Sequence, residues 1–220
     1  MKALDVIYPS IYSSDHLHIY DELKKVENAR FRTLHVDIQD GVCSAEISFG
    51  IKVLKSLSNN SEIDFDVHLM LVDVEQFLNK IEGIKNIKCV TFHPTDVRYP
   101  ARIINKIKSM GYEVGFAFGY SQSMQEYALY ADEVSSILIC TADVDGKGNE
   151  YRKKSLDKIQ LARSLFDGVE RFVVDGDVNA VNLGEIVQAG ANRFVMGREI
   201  FKSTSLDEKI IELNNILERK

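Results

Sequence analysis

Eight short apolar runs punctuate the chain, and each is followed by a longer stretch that is polar on one side. The runs occupy 3–10 (ALDVIYPS), 33–37 (TLHVD), 63–70 (IDFDVHLM), 87–93 (IKCVTFH), 113–118 (EVGFAF), 135–141 (SSILICT), 171–175 (RFVVD) and 193–196 (RFVM). They are rich in Val, Ile and Phe and short, the pattern of strands buried on both faces of a parallel sheet. The intervening stretches, 15–29, 50–57, 74–81, 100–110, 123–131, 155–166, 180–189 and 205–217, have helical character. In one of them Ile103, Ile104, Ile107 and Met110 fall at i, i+1, i+4 and i+7, one face of a 3.6-residue period. Gly111 and Gly190 stand just past two helix ends, where a left-handed residue is wanted. A strand-helix unit thus recurs about every 27 residues, and no Pro-, Gly- or Ser-rich linker interrupts it. Eight such units in 220 residues predict an α/β protein with a (β/α)8 barrel filling 1–220 as one domain; an open doubly wound sheet is the alternative.

Composition narrows the function classes. At 45% hydrophobic and 27% charged, the chain is neither disordered, collagenous nor a coiled coil. Its 27 Lys and Arg against 33 Asp and Glu give a net charge of −6, and no stretch concentrates enough base for a nucleic-acid footprint. Cys43, Cys89 and Cys140 are odd in number and far apart, as expected of a chain kept reduced in the cytoplasm. The amino-terminal apolar run is broken by Asp5 and Pro9, so no signal peptide is expected there. No run approaches the roughly 18 apolar residues of a membrane span.

In such barrels chemistry sits at the carboxyl ends of the strands. The second run ends His35-Val36-Asp37, and a period of two puts His35 and Asp37 on one face with Leu34 and Val36 on the other. Leu34 and Val36 suit the helices, so His35 and Asp37 are expected inside the barrel. The third run ends Asp66-Val67-His68-Leu69-Met70, with His68 facing either way, and the seventh runs through two valines into Asp175-Gly176. Taken singly, a strand-end Asp is more often a cap or turn former, and a strand-end His a hydrogen-bonded filler. Two imidazoles and two carboxylates at one barrel mouth point instead to a single divalent cation, with zinc, iron(II), manganese and cobalt all admitted by the donor set. His93, at the end of the fourth run, is expected to support the site or fill space, and His16 and His18 to be solvated.

Five strings carry a resemblance: PSIYSSD (9–15), HVDIQDG (35–41), DVHLM (66–70), DGDVN (175–179) and AGANRFVMGREIF (189–201). In order and spacing they resemble the ribulose-phosphate 3-epimerases over about 7–202. The resemblance implies a ribulose-phosphate-binding barrel that inverts carbon 3 of a phosphorylated ketose, ribulose 5-phosphate to xylulose 5-phosphate by default, and that self-associates as a homo-oligomer. It implies that His35, Asp37, His68 and Asp175 hold one metal ion and that Asp37 and Asp175 serve as acid and base. Ser10, His68 and Met70 would meet the substrate. The phosphate would lie against the backbone around Gly146, Gly148, Gly176 and Gly197, beside Arg198. No redox cofactor, nucleic acid or membrane is implied.

The chain departs from that family at the mouth. After the sixth run it reads Asp143-Val144-Asp145-Gly146-Lys147-Gly148-Asn149 where the family has an Asn-Pro-Gly-Phe-Gly-Gly type of sequence. Asp177 replaces a glycine, Arg198 a small residue, Gln39 a methionine, and Ala45-Glu46 a Pro-Asn pair. Asp177 is read either as a charge facing the phosphate, offset by Arg198 and Lys147, or as a cap of the next helix beside a solvated Arg198. These changes raise a variant of the same chemistry on another sugar, such as a hexulose 6-phosphate. A decarboxylase on the same barrel needs an Asp-x-Lys-x-x-Asp string, which His35-Val36-Asp37-Ile38-Gln39-Asp40 lacks. A binding module without turnover has no use for two opposed carboxylates.

Overall fold

The computed structural model describes residues 1–143 and 150–218. Eight strands form one sheet: β1 (Ile7–Pro9), β2 (Thr33–Gln39), β3 (Asp64–Met70), β4 (Ile87–Phe92), β5 (Glu113–Phe118), β6 (Ser136–Cys140), β7 (Arg171–Asp175) and β8 (Arg193–Met196). Their order is β1-β8-β7-β6-β5-β4-β3-β2 and every pairing is parallel. A parallel bridge between Ser10 and His35 brings the two ends of the sheet together, so the fold is a (β/α)8 barrel and the open-sheet alternative falls away. Among the described residues no helix is long and apolar enough to cross a membrane.

The strand period of two builds two separate apolar regions. Leu34, Val36, Ile38, Phe65, Val67 and Leu69 point outward and pack with the surrounding helices in the larger one. Tyr8, Ala117, Leu138, Cys140, Val173 and Val195 fill the barrel itself. The interior is tight enough to select a glycine, since a Cβ on Gly115 would lie 2.2 Å from Thr91 Oγ1. A packed interior leaves only the carboxyl ends of the strands open to a ligand.

Helices α2 (Ile19–Asn28), α3 (Ile51–Asn59), α4 (Val74–Ile81), α5 (Pro100–Ser109), α6 (Ser155–Leu165), α7 (Leu183–Gln188) and α9 (Leu206–Glu218) fall within the stretches expected to be helical or overrun them by a residue or two. Gly111 and Gly190 have φ of +81° and +110°, the left-handed conformation that ends a helix without steric cost.

Three elements differ from expectation. Residues Ala3–Val6 form a short helix, α1, instead of the start of the first strand. Ala3 and Val6 are buried at i and i+3 where a strand would alternate, and the Ala3 N–H donates to Asn214 Oδ1 of α9 at 2.8 Å. Between β5 and β6 the connection Gln125–Glu133 is a 3-10 helix. Its Tyr127 and Tyr130 are three apart, a spacing that stacks side chains in register in a 3-10 helix, and both meet Phe116 edge-on at 6.2 and 5.9 Å. A short helix, α8 (Arg198–Phe201), follows β8 directly and was not expected.

Candidate active site

His35 and Asp37 from β2, His68 from β3 and Asp175 from β7 meet at the barrel mouth. One ligand atom from each, two imidazole nitrogens and two carboxylate oxygens, lies within 4.8 Å of all the others. The ladder explains how they meet. Asp37 pairs with His68 across β2 and β3, and that register settles the direction of His68, which the sequence left open. His35 Nε2 is 3.1 Å from Asp37 Oδ1 and 3.8 Å from Asp175 Oδ2, and His68 Nδ1 is 3.3 and 3.8 Å from the same two carboxylates. His35 and His68 are fully buried, Asp37 nearly so, and Asp175 faces the opening.

Each imidazole has its other nitrogen engaged. His35 Nδ1 lies 2.8 Å from the buried carboxylate of Asp66, two residues before His68 on the same face of β3. His68 Nε2 lies 3.0 Å from His93 Nε2, and His93 Nδ1 is 3.1 Å from Gln122 Oε1. Ser10 donates its hydroxyl to Asp37 Oδ2 at 2.8 Å. His93 thus touches the quartet from outside, whereas Asp66 and Gln122 had no expected role. The period of two that joined His35 to Asp37 would have flagged Asp66; nothing local in the sequence marks Gln122. His16 and His18 are exposed, as expected, although the His16 ring also rests 4.9 Å from that of Phe49.

The charges are uneven. Burial pushes the Asp175 carboxyl up to about 6, and the neighbouring Asp37 adds to the shift. Burial also works against ionised Asp37, but the charge of His35 and hydrogen bonds from His35 and His68 outweigh it and hold that carboxyl well below the usual range. His35 stands well above an ordinary imidazole because Asp37 and Asp66 outweigh its burial. Burial, with His68 alongside, brings His93 down to about 3. Two carboxylates facing two imidazole nitrogens, each ring anchored from behind, form a donor set that fits one divalent cation.

The quartet opens into a cleft of about 640 Å3 lined by Ser10, Met70, Asp175, Gly176, Gly197 and Arg198 among others. The family model described as "Ribulose-phosphate 3 epimerase family" matches residues 6–201. The chain belongs to the ribulose-phosphate 3-epimerase family. It is 32% identical to the ribulose-phosphate 3-epimerase of Methanocaldococcus jannaschii over 195 residues, 87% of this chain and 82% of that protein. It is 30% identical to the Escherichia coli K12 ribulose-phosphate 3-epimerase over 216 residues, 96% of both chains. Membership places it among the isomerases that act on carbohydrates. The fold is shared more widely: orotidine 5'-phosphate decarboxylase from Pyrococcus horikoshii OT3 superposes with a TM-score of 0.70 at 13% identity, covering 97% of this chain and 100% of that one.

The rim of this epimerase-family barrel shows what the unusual residues do. Asp177 accepts from Arg198 Nη2 at 2.6 Å, so the two charges face each other across the cleft wall. Asp177 does not cap α7. The N-cap of α7 is Asn182, which makes no side-chain cap bond, and Asn179 closes the turn before it, its Oδ1 accepting from the N–H of Val181 at 2.9 Å. Gly176, at φ +124°, has no space for a side chain, because a Cβ would lie 2.7 Å from Ala142 N. At Gly197 a Cβ would lie 2.1 Å from Ser13 Oγ, and Gln39 donates to Met70 Sδ at 3.6 Å. Asp143, which follows the sixth strand, is paired with Arg152. Asp145, Gly146, Lys147 and Gly148 lie outside the described residues.

Proposed function

We propose that this chain epimerises carbon 3 of a phosphorylated 2-ketose, with ribulose 5-phosphate and xylulose 5-phosphate as the default pair. The observation that carries the reading is the pair Asp37 and Asp175, which enter one cleft from β2 and β7 beside a donor set that fits a divalent cation. Inversion needs a proton removed from one face of C3 and another delivered to the opposite face. One ionised carboxylate takes the C3 proton while the C–H electron pair moves into the C2–C3 bond and the carbonyl oxygen takes up charge. The other, protonated, carboxyl then gives its proton to C3 from the far side. After turnover the two have exchanged protonation states, and exchange with solvent resets them. Each carboxyl contributes on the order of 10²–10⁴ in rate. Ser10 holds one oxygen of Asp37, which leaves the other for the quartet. A divalent cation held by His35, Asp37, His68 and Asp175 supplies Lewis-acid polarisation of the carbonyl. Zinc, iron(II), manganese and cobalt all suit these ligands.

The phosphate is proposed to lie against the backbone at Gly176 and Gly197, where side chains are excluded, with Arg198 on the rim. Met70 lines the sugar end. A homo-oligomer in the cytoplasm completes the reading; the free thiols of Cys43, Cys89 and Cys140 agree with a reducing compartment.

A second reading keeps the chemistry and changes the sugar. The Asp177–Arg198 pair favours it, because it sets both a carboxylate and a guanidinium at the rim. Incubating the metal-loaded protein with a panel of ketose phosphates in D2O and following deuterium at C3 by NMR tests both. Fastest exchange on ribulose 5-phosphate supports the first reading, fastest exchange on a hexulose 6-phosphate the second, and no exchange on any sugar overturns both.

A further inference from the structure

We propose that Gln122 is a positioning residue which, through His93, dictates the nitrogen that His68 presents to the metal quartet. The proposal rests on the metal reading above and deepens it.

One backbone donor beside Gln122 has no choice of role. The backbone N–H of Gly119 donates to Gln122 Oε1 at 2.7 Å, and Gln122 Nε2 donates to the carboxylate of Asp96 at 3.0 Å. Turning the amide over would set N–H against N–H at Gly119 and oxygen against oxygen at Asp96, so its orientation is fixed at both ends. The atom that faces His93 Nδ1 at 3.1 Å is therefore an oxygen, and His93 must carry its hydrogen on Nδ1.

His93 is buried, and among the described residues its ring nitrogens meet Gln122 Oε1 and His68 Nε2, so a ring whose one hydrogen is committed to Gln122 offers Nε2 as an acceptor. Its Nε2 is then bare. The 3.0 Å contact between His93 Nε2 and His68 Nε2 requires one hydrogen, and His68 has to supply it. A neutral His68 that carries hydrogen on Nε2 has a lone pair on Nδ1, the nitrogen that faces Asp37 and Asp175. His35 would reach the same state by another route when a cation displaces the proton it shares with Asp37, with Nδ1–H donated to Asp66 and Nε2 left for the cation. In the cation-bound form both imidazoles would then turn a lone pair to the quartet, their other nitrogens held by Asp66 and His93.

The loop that carries Gln122 is itself pinned. Lys158 of α6 reaches under it and donates to the carbonyls of Gly119, Tyr120 and Gln122, the last two at 3.2 and 2.6 Å. Orientation therefore comes from the β5 side of the barrel, while the ligands come from β2, β3 and β7.

The test uses the full chain labelled with 15N-histidine. Long-range 1H–15N NMR on the Zn2+-loaded protein should show His93 protonated at Nδ1 and His68 at Nε2. Gln122→Leu, which keeps the bulk and removes the acceptor, should leave His93 in mixed tautomers. Its Zn2+ Kd, measured by competition with a chelator, should rise about 10- to 100-fold, the usual effect of losing a partner behind a ligand. Turnover at saturating Zn2+ should stay within a few-fold of the parent. Finding His93 protonated at Nε2 in the parent protein overturns the proposal without any variant, and so does an unchanged Zn2+ Kd in a folded Gln122→Leu protein. A parent protein that binds no Zn2+ overturns the metal reading instead, and the tautomer of His93 in that spectrum still decides for or against the relay.

Discussion

Replacing Asp175 with Asn keeps the shape of a side chain at the barrel mouth and removes one negative charge from beside Asp37. In the metal-free protein that charge is unwelcome. Burial and Asp37 together push the Asp175 carboxyl up to about 6, from about 3.8 for an unperturbed aspartate. An acid whose folded pKa is raised binds its proton more tightly in the folded chain. Its ionisation therefore costs stability in full above pH of about 6, and the cost is gone below about 3.8. About two pKa units correspond to roughly 3 kcal/mol as a ceiling, and water at the opening together with the charge on His35 reduces this to about 1–3 kcal/mol. For a chain of this size each kcal/mol moves Tm by about 2–4 °C.

Asp175→Asn in excess chelator should therefore melt several degrees above the parent at pH 8 and no higher than the parent at pH 4. Added Zn2+ should narrow or reverse the difference at pH 8, because the parent gains more from the cation. Thermal melts of both proteins across that pH range, with and without chelator, make the comparison. A chelated variant less stable than the parent at pH 8, or an increment independent of pH, would refute the electrostatic reasoning. The same variant separates two steps of the chemistry. With one carboxylate left, epimerisation should fall by about 10²–10⁴, while C3 exchange in D2O should persist on one epimer. Equal loss of both would remove the assignment of one carboxyl to each face.

Other substitutions probe the supports and the rim. Asp66→Asn keeps an acceptor for His35 Nδ1–H but loses the charge behind it, and the Zn2+ Kd by chelator competition should rise about 10- to 100-fold. Arg198→Ser leaves the Asp177 carboxylate facing the cleft without its 2.6 Å partner, and KM for a ketose phosphate should rise more than kcat falls. Adding Asp177→Gly, which also suits the φ of +54° at that position, should bring KM back down. Gly197→Ala places a methyl 2.1 Å from Ser13 Oγ, so Ser13 must move. Steady-state kinetics should show a raised KM, and melts a loss of about 1–3 kcal/mol, the usual cost of overpacking.

Sequence spacing revealed those parts of the molecule that follow from a strand's period of two. Because both faces of each strand are buried, the strands stand out as apolar runs, and because His35 and Asp37 are two apart in one of them, their common face follows without coordinates. At the chain's beginning the same reasoning failed. An apolar run of four residues satisfies a helical turn as well as a strand, and contact with α9 decides for the helix at Ala3–Val6. The stretch 123–131 has helical character in sequence, but no residue of Gln125–Glu133 is buried and the aromatic pair on Phe116 favours three residues per turn.

At the site, a similar boundary separates what the sequence reveals from what it hides. Candidate ligands sit at strand ends where a period of two puts them, so residue type and spacing suffice to propose them, while the facing of His68 follows from its register with Asp37. The groups behind the ligands are chosen by what touches a particular nitrogen. Asp66 lies on the ligand face, yet a carboxylate in a sequence does not announce whether it ends in water or against His35. Gln122 is further hidden, because it lies 29 residues from His93 in the chain and an amide acquires its role from which of its two ends faces the ring. The candidate quartet gives the site its fit to a cation. On the proposal above, Asp66 and Gln122, along with the Lys158 that pins the Gln122 loop, set which nitrogen of each imidazole faces the quartet. Substitutions at these positions should therefore move metal affinity while sparing the fold, the opposite of what filling a tight interior at Gly115 should do.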